Sequence, residues 1–124
     1  MRNKRIIIID PCESTRQLVT QVLSRAGHSV ASADCCVYSN DLIYSVRPPD
    51  LIIMDILLPM MRGDKKAQLL KTREKSRGIP ILLIAARPAD ELQSLAVAAG
   101  AEGFLPKPFD AAQLLAIINQ LFTR

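Results

Sequence analysis

Five short apolar runs recur along the chain and are separated by segments of mixed polar and apolar character. The runs are RIIIID at 5–10, HSVASA at 28–33, DLIIMD at 50–55, PILLIA at 80–85 and EGFLP at 102–106. The first, third and fourth are continuous rather than alternating, which is typical of strands covered on both faces of a parallel sheet. The pattern therefore predicts five strands and places three of them in the interior.

The segments between these runs carry apolar residues at helical spacing. Two of them stop at a glycine, Gly27 or Gly100, and Asp110 with Gln113 can form a capping box at the start of the last helix. The apolar positions that define the predicted helices are Leu18, Val19, Val22, Leu23 and Ala26; Leu42, Ile43 and Val46; Ala67, Leu69 and Leu70, in a helix ending near Gly78; Leu92, Leu95, Ala96 and Ala99; and Leu114, Ile117, Ile118 and Leu121.

The order of these elements predicts one α/β domain that spans residues 1–124. Strands and helices alternate five times with short loops, and right-handed crossovers then give a doubly wound sheet with helices on both faces. A chain of 124 residues suits one domain with its own core, and the sequence has no internal repeat, low-complexity tract or linker. The expected architecture is a (βα)5 fold with a five-stranded parallel sheet.

The net charge of +4 is concentrated in one segment, residues 62–77. This segment has seven basic and two acidic residues, so its own net charge of +5 exceeds that of the chain. We interpret it as a solvated helix face followed by a loop. A nucleic-acid surface is the alternative, but no aromatic residues lie among these charges to stack on bases. Nucleic-acid binding is therefore not expected of this domain.

The cysteine and histidine positions argue against a zinc site and a disulfide. Cys12, Cys35 and Cys36 are odd in number, two of them are adjacent, and together with His28 they lack the spacing of zinc ligands. The N-terminal segment has neither a long apolar stretch nor a small-residue cleavage site, so no signal peptide is expected. No apolar run is long enough to span a bilayer. We expect a cytoplasmic protein without a membrane partner.

The ends of the predicted strands bring chemically active residues to one edge of the sheet. In open α/β sheets, sites form at the carboxyl ends of strands, where the strand order reverses. Strand 1 ends at Asp10, strand 3 at Asp55 and strand 4 at Ala85, and Lys107 follows strand 5. Asp10 alone would be interpreted as a helix cap. Asp55 precedes the apolar ILLPMM, a poor setting for an unpaired charge, so two carboxylates and one amine are expected to converge.

The segment PDLIIMDILLPMMRG carries an Asp-x-x-x-Pro-x-x-x-Gly motif at Asp55, Pro59 and Gly63. This motif resembles the phosphoacceptor loop of bacterial two-component receiver domains. Three further segments, GIPILLIAAR, AGAEGFLPKPF and FDAAQLL, resemble the fourth strand, the fifth strand with its Lys-Pro pair, and the last helix of that family. The resemblance covers essentially the whole chain and implies a flavodoxin-like strand order, 2-1-3-4-5.

The resemblance implies a signalling switch rather than an enzyme. Asp55 would accept a phosphoryl group from a phosphohistidine on a sensor histidine kinase or phosphotransfer protein, and Lys107 would pair with the transferred group. Mg2+ would be held by Asp10, Asp55 and the backbone carbonyl of Leu57. The Lys107–Pro108 bond would be cis. The output would pass to an effector domain or protein that the sequence does not identify.

The chain departs from the family pattern at two positions of the pocket. Receivers place a second acidic residue where this chain has Pro11, which offers neither a carboxylate nor an N–H. Glu13, two residues on, is an alternative acid for this place, but a position in the first turn of the following helix, facing solvent, is favoured. Receivers place Thr or Ser where this chain has Ala85, which lacks the hydroxyl that binds the phosphoryl group. Phe104 occupies the aromatic position that moves between exposed and buried states in the family. We therefore expect weak Mg2+ binding and weak switching.

Two other functions are compatible with parts of the sequence. A pseudo-receiver that binds a protein partner without phosphorylation would also explain Pro11 and Ala85, whereas Asp55 and Lys107 favour retained phosphorylation. A flavodoxin-like cofactor-binding enzyme would need a glycine-rich phosphate loop after strand 1, and the PCESTR found there contains no glycine. Cys12 lies near the predicted pocket, but a loop thiol without a covalent role is favoured.

Overall fold

The predicted alternation of five strands and five helices is present in a computed structural model, which describes residues 3–123. Residues 1, 2 and 124 of the predicted domain lie outside the described residues. Each strand is one residue shorter than its apolar run. The elements are β1 (Arg5–Ile9), α1 (Glu13–Arg25), β2 (Ser29–Ala33), α2 (Cys36–Ile43), β3 (Leu51–Asp55), α3 (Gly63–Thr72), β4 (Ile81–Ala85), α4 (Ala89–Ala99), β5 (Gly103–Pro106) and α5 (Ala111–Phe122).

The five strands form one parallel sheet in the order β2-β1-β3-β4-β5. This arrangement confirms the predicted flavodoxin-like order, which reverses between β1 and β3. Strands β1, β3 and β4 are buried over nearly their whole length, as their continuous apolar runs predict. The point of reversal, where a site is expected, therefore lies at the centre of the sheet.

Each face of the sheet packs against its own set of helices, because successive strand residues point to opposite faces. On one face, Ile7 and Ile9 of β1 join a buried cluster with residues of α2, α3 and α4. On the other face, Ile6 and Ile8 join a second cluster with residues of α1 and α5. Full burial of one such side chain contributes ~1.5–3 kcal/mol, so the two layers hold the strand ends in fixed positions.

The second helix is shorter than its apolar pattern predicts. α2 ends at Ile43, and Val46, which was expected on its buried face, lies beyond the helix and is fully exposed. The prolines at 48 and 49 disfavour continuation of the helix, since proline lacks an N–H and pushes the preceding residue toward an extended backbone.

The third helix also ends earlier than predicted. α3 stops at Thr72 rather than near Gly78, because Arg73 has an extended backbone, with φ −99° and ψ 137°. The Ser76 hydroxyl then donates to the Leu70 carbonyl over 2.7 Å and supplies a partner at the end of the helix. Leu69, which was expected in the core, is 40% exposed.

Other predicted helix ends are confirmed. Gly100 ends α4 with a φ of 75°, in the left-handed region that glycine adopts without a steric penalty. Asp110 and Gln113 form the expected capping box at the start of α5, since each side chain accepts from the other residue's backbone N–H. Within residues 3–123, none of the helices has the length and apolar character needed to cross a membrane.

Candidate functional site

Three charged side chains meet at the carboxyl edge of the sheet. Asp10 directly follows β1, Asp55 is the last residue of β3, and Lys107 directly follows β5. The Lys107 Nζ lies 2.7 Å from Oδ2 of Asp10 and 3.6 Å from Oδ2 of Asp55. The predicted convergence of two carboxylates and one amine, here called the acidic pocket, is therefore present.

Asp10 is fully buried and held from two sides. Its Oδ1 accepts from the backbone N–H of Cys12 over 2.8 Å, and its backbone carbonyl accepts from Nη1 of Arg16 over 2.6 Å. Its Oδ2 has no aligned hydrogen-bond donor among the described residues, and the Lys107 ammonium is its charge partner. Asp10 does not cap α1, whose N-cap residue is Cys12. Among the described residues, the Lys107 ammonium is thus the one group that compensates Oδ2 of Asp10.

Asp55 is poorly solvated and lies close to another acid. Burial raises the pKa of its carboxyl above the ordinary value, and the negative charge of Asp10 raises it further. The Lys107 ammonium and the backbone N–H groups of Leu57 and Ile56 partly offset this rise in pKa. The pocket therefore holds two acids against one lysine, and a further positive charge placed there would stabilise both carboxylates.

The loop that follows Asp55 folds back closely on it. The Gly63 N–H donates to the Ile56 carbonyl over 2.8 Å. A Cβ at Gly63 would lie 2.0 Å from the Asp55 carbonyl oxygen, so this close approach excludes any side chain at position 63. Leu57, whose carbonyl was predicted as a metal ligand, lies in this loop and its side chain is largely exposed.

The two predicted switch positions differ in their surroundings. The Ala85 side chain is buried at the end of β4, and its backbone carbonyl accepts from the Lys107 N–H over 2.8 Å. Phe104, in β5, is half-buried and packs against the cluster that includes α4. The Lys107–Pro108 bond is cis. Ala85 therefore adjoins Lys107 through its backbone, and its side chain is a methyl group within the buried cluster.

The residues that follow Asp10 face solvent. Pro11 is exposed, and Glu13 is exposed in the first turn of α1, as predicted, where it accepts from Nε2 of Gln17 over 3.3 Å. Cys12 is an exposed free thiol, and hydrogen bonding to Ser14 and then Thr15 lowers its pKa to about 7. None of these side chains adds a second carboxylate beside Asp10.

The oxygen donors of the pocket fit Mg2+ in kind but are few in number. Mg2+ prefers oxygen ligands and is often bound through one or two carboxylates plus substrate phosphate oxygens. Asp10 and Asp55 supply two carboxylates, and Oδ2 of Asp10, which faces the Lys107 ammonium, is an oxygen of the right type. Within residues 3–123, no group of three or more acidic, histidine or cysteine side chains is arranged to hold a metal ion.

An acidic pocket with one lysine, at the carboxyl edge of a parallel sheet ordered 2-1-3-4-5, is the arrangement of a receiver domain. Comparison with solved structures agrees. The chemotaxis response regulator CheY4 of Vibrio cholerae superposes with a TM-score of 0.88 at 27% identity, over 96% of this chain and 98% of that one. A two-component response regulator from Clostridium difficile shares the fold, with a TM-score of 0.87 at 24% identity over 98% of both chains.

Sequence comparison assigns the family. Residues 6–119 match the response regulator receiver domain. The response regulators MprA of Mycobacterium sp. (strain KMS) and Mycobacterium tuberculosis (strain ATCC 25177 / H37Ra) are 33% identical over 120 residues, which cover 97% of this chain. The chain belongs to the response regulator receiver domain family. It spans 51% of the length of these relatives.

The family defines the general role of the domain. Receiver domains of two-component systems are signalling domains that are generally not enzymes. They generally bind Mg2+ at the acidic pocket and interact with histidine kinases or phosphotransfer proteins and with effector domains. The roles of individual residues in this chain follow below as proposals.

Two charged residues of the basic segment 62–77 are buried, Asp64 and Lys66, and Asp64 pairs with Arg62. The basic segment 62–77 was interpreted as a solvated face, but Lys66 within it is 7% exposed. The interpretation is wrong for this residue because Lys66 and Leu70 are four apart on α3 and share its inward face. That spacing was available in the sequence and could have identified Lys66.

Proposed function

We propose that this domain accepts a phosphoryl group on Asp55 from a phosphohistidine of a sensor histidine kinase or phosphotransfer protein. The observation that carries the proposal is the position of the Lys107 Nζ, 2.7 Å from Asp10 and 3.6 Å from Asp55. The partner kinase, an effector domain or protein, and a cytoplasmic location belong to the same proposal. We also propose that residues 1–124 form one domain.

The reaction transfers one phosphoryl group between two side chains. A carboxylate oxygen of Asp55 forms a bond to phosphorus, while the bond from phosphorus to the histidine nitrogen breaks and leaves its electron pair on the imidazole. Asp55 must be ionised to attack, so Lys107 assists by favouring the carboxylate form. After transfer, the same ammonium is placed to pair with the phosphoryl oxygens.

Mg2+ would supply positive charge that neutralises the approaching phosphoryl oxygens. Asp10, Asp55 and the Leu57 carbonyl are the proposed ligands. With Pro11 in place of a second acid next to Asp10, the chain offers one carboxylate fewer than the family pattern. We therefore propose that Mg2+ binds weakly and that phosphoryl transfer needs a high Mg2+ concentration.

Coupling of phosphorylation to a change of shape is weakened in the same proposal. A hydrogen bond from a hydroxyl to a charged phosphoryl group contributes ~1.5–3 kcal/mol, which corresponds to roughly 10- to 100-fold in a two-state equilibrium. Ala85 is buried beside the pocket and has no hydroxyl. Phosphorylation is therefore expected to move Phe104 only partly toward its second position.

A pseudo-receiver that binds a protein partner without phosphorylation is the second candidate function. Pro11 and Ala85 favour it, because both remove groups that serve only the metal ion or the phosphoryl group. Asp55 and Lys107 favour the first candidate, because a buried pair of acids beside one lysine is costly to keep without a function. We place phosphorylation first for this reason.

Intact-mass measurement separates the two candidates. The protein is incubated with acetyl phosphate over a series of Mg2+ concentrations. We expect a slow, partial gain of one phosphoryl group that grows with Mg2+, is absent in Asp55→Asn and is retained in the exposed-site control Asp34→Asn. No mass gain at any Mg2+ concentration, together with pocket NMR signals that do not respond to Mg2+, would identify a pseudo-receiver.

A further inference from the structure

An open groove lies between α2 and α3, on the helix layer away from α1 and α5. It has a volume of about 280 Å³, and its lining includes Asn40, Tyr44, Met60, Lys66, Leu69 and Arg73. We call it the α2–α3 groove. It lies outside the acidic pocket, and the function proposed for that pocket does not use it.

Lys66 is the unusual residue of this groove, because its positive charge is buried without a negative partner. Its ammonium donates to Oδ1 of Asn40, a neutral oxygen. None of the ion pairs among residues 3–123 includes Lys66. Burial lowers its pKa, an effect that Cys36 and Tyr44 oppose and Arg73 reinforces. A buried cation normally has a carboxylate partner, so this site has unused capacity for an anion.

The apolar part of the groove extends outward from Lys66. Met60 is 88% exposed, and its φ of 73° lies in the left-handed region, which is unusual for a bulky residue. Leu69 is 40% exposed on the same groove. Strained backbone persists mainly where function uses it, and methionine is favoured on surfaces that adapt to partners. The groove therefore combines a buried cation with exposed, adaptable apolar side chains.

We propose that the α2–α3 groove binds a segment of a partner protein in which a carboxylate side chain lies beside apolar side chains. The carboxylate would pair with Lys66 and Arg73, and the apolar side chains would cover Met60 and Leu69. This corresponds to recognition of an amphipathic helix in a groove. The binding does not depend on phosphorylation of Asp55.

The observations favour a protein segment over two other ligands. A nucleic acid would engage cations spread over an exposed surface, whereas Lys66 is buried in an apolar groove. A small organic acid would pair with Lys66 but would leave the outward-facing Met60 uncovered. The net charge of +5 over residues 62–77 would further attract an acidic segment.

The proposal is tested with a short synthetic peptide, an amphipathic helix of leucine, alanine and glutamate with a fluorescent label. Fluorescence anisotropy measures its affinity for the protein, and amide NMR shifts locate the site. We expect saturable binding, with shifts at 36–44 and 60–73. A matched peptide with glutamine for glutamate should bind about tenfold more weakly or worse, since it lacks the charge-assisted contact.

Variants of α3 provide the controls. Lys66→Met should lose about tenfold in affinity and Lys66→Arg should retain most of it, whereas the exposed Lys65→Met should lose less than about twofold. Thermal unfolding shows whether each variant is folded. Leu69→Glu changes an exposed residue and should repel the acidic peptide, so it tests the groove even if Lys66→Met does not fold.

Four outcomes would overturn the proposal. These are no saturable binding below about 1 mM, equal binding of the glutamate and glutamine peptides, equal losses for Lys65→Met and Lys66→Met, and NMR shifts outside the groove. A labelled DNA duplex is tested in parallel. If the duplex binds more tightly than the peptide and loses affinity equally in Lys65→Met and Lys66→Met, residues 62–77 form a nucleic-acid surface. None of these outcomes bears on phosphorylation of Asp55.

Discussion

Lys107 and Lys66 are both largely buried, and their surroundings are opposite. The Lys107 side chain is 18% exposed, and its ammonium lies within 3.6 Å of two carboxylates. Lys66 is 7% exposed, and among the described residues its ammonium donates only to the neutral side chain of Asn40. Lys107 therefore compensates charge that the fold has already buried. Lys66 adds a buried charge that the fold leaves uncompensated.

The two sites differ in whether folding itself creates a favourable charge interaction. In the acidic pocket, parallel strands end at one edge and bring the acids and the lysine together, so folding itself creates the interaction. In the α2–α3 groove, helix spacing turns one lysine of a basic segment inward, and nothing in residues 3–123 offers it a carboxylate. Removal of each lysine should therefore have opposite consequences for stability.

The largest expected effect is that of Lys107→Met compared with Lys66→Met. Removal of Lys107 leaves two adjacent buried carboxylates without a counter-charge, and we expect a loss of ~3–5 kcal/mol in the free energy of unfolding at neutral pH. Removal of the Lys66 charge should be neutral or stabilising, because methionine keeps the apolar stem. Urea denaturation measures both, with Lys65→Met as a control that should change by less than ~0.5 kcal/mol. A loss for Lys66→Met as large as that for Lys107→Met would end the distinction between the two lysines.

Ala85→Thr should strengthen the response of the pocket to phosphorylation. The added hydroxyl offers a hydrogen bond to the phosphoryl group, and we expect the switched state to gain ~1.5–3 kcal/mol, or roughly 10- to 100-fold in population. NMR shifts of Phe104 before and after phosphorylation report that population. Valine has nearly the shape of threonine but no hydroxyl, so Ala85→Val should not increase the population of the switched state. An equal gain in the valine variant would show that packing, and not the hydrogen bond, limits switching.

Pro11→Asp should tighten Mg2+ binding. A second acid beside Asp10 adds a ligand, and we expect an affinity about tenfold higher, equivalent to ~1.4 kcal/mol. A Mg2+ titration followed by the amide NMR signals of the pocket measures the change, and Pro11→Asn provides an uncharged control. The amide NMR signals of residues 36–44, at the α2–α3 groove, should not change on addition of Mg2+. Unchanged Mg2+ affinity would mean that Pro11 is not what limits the metal site.

The smallest expected effect is the pH dependence introduced by Asp55→Asn. The folded-state pKa of Asp55 is raised by burial and by Asp10, so its protonated form is favoured by folding and its ionised form costs stability. The wild type should therefore lose stability as pH rises from the ordinary aspartate pKa through the raised one. Asp55→Asn should be more stable than the wild type above this window, and the difference should shrink below it. Urea denaturation across acidic to neutral pH checks this, and a difference that grows as pH falls would contradict it.

The sequence was sufficient to predict the sheet and the residues at its edge. Continuous apolar runs identify buried parallel strands, and the last residue of such a run has a known place in the fold, which is why Asp10 and Asp55 could be predicted to be neighbours. The distances from the Lys107 ammonium to the two carboxylates could not be predicted from the sequence, because they depend on side-chain packing that no local pattern records. The same holds for the pairing of Oδ2 of Asp10 with the Lys107 ammonium.

Helix faces were predicted less well. Val46 and Leu69 were placed on buried faces because apolar residues at helical spacing usually are, but prolines end α2 early and the inward face of α3 is shared by Lys66. A lysine counts as polar in such a pattern, so Lys66 was assigned to the solvated face although its spacing to Leu70 places it on the inward face of α3. The structure was needed to find the α2–α3 groove.

The most direct test of the central claim is to locate the phosphoryl group on the chain. The protein is treated with acetyl phosphate and Mg2+, the acyl phosphate is trapped by borohydride reduction, and peptides are mapped by mass spectrometry. We predict modification at Asp55 alone, dependent on Mg2+ and reduced in Lys107→Arg. Modification at Asp10 or elsewhere, or none at any Mg2+ concentration, would contradict Asp55 as the acceptor.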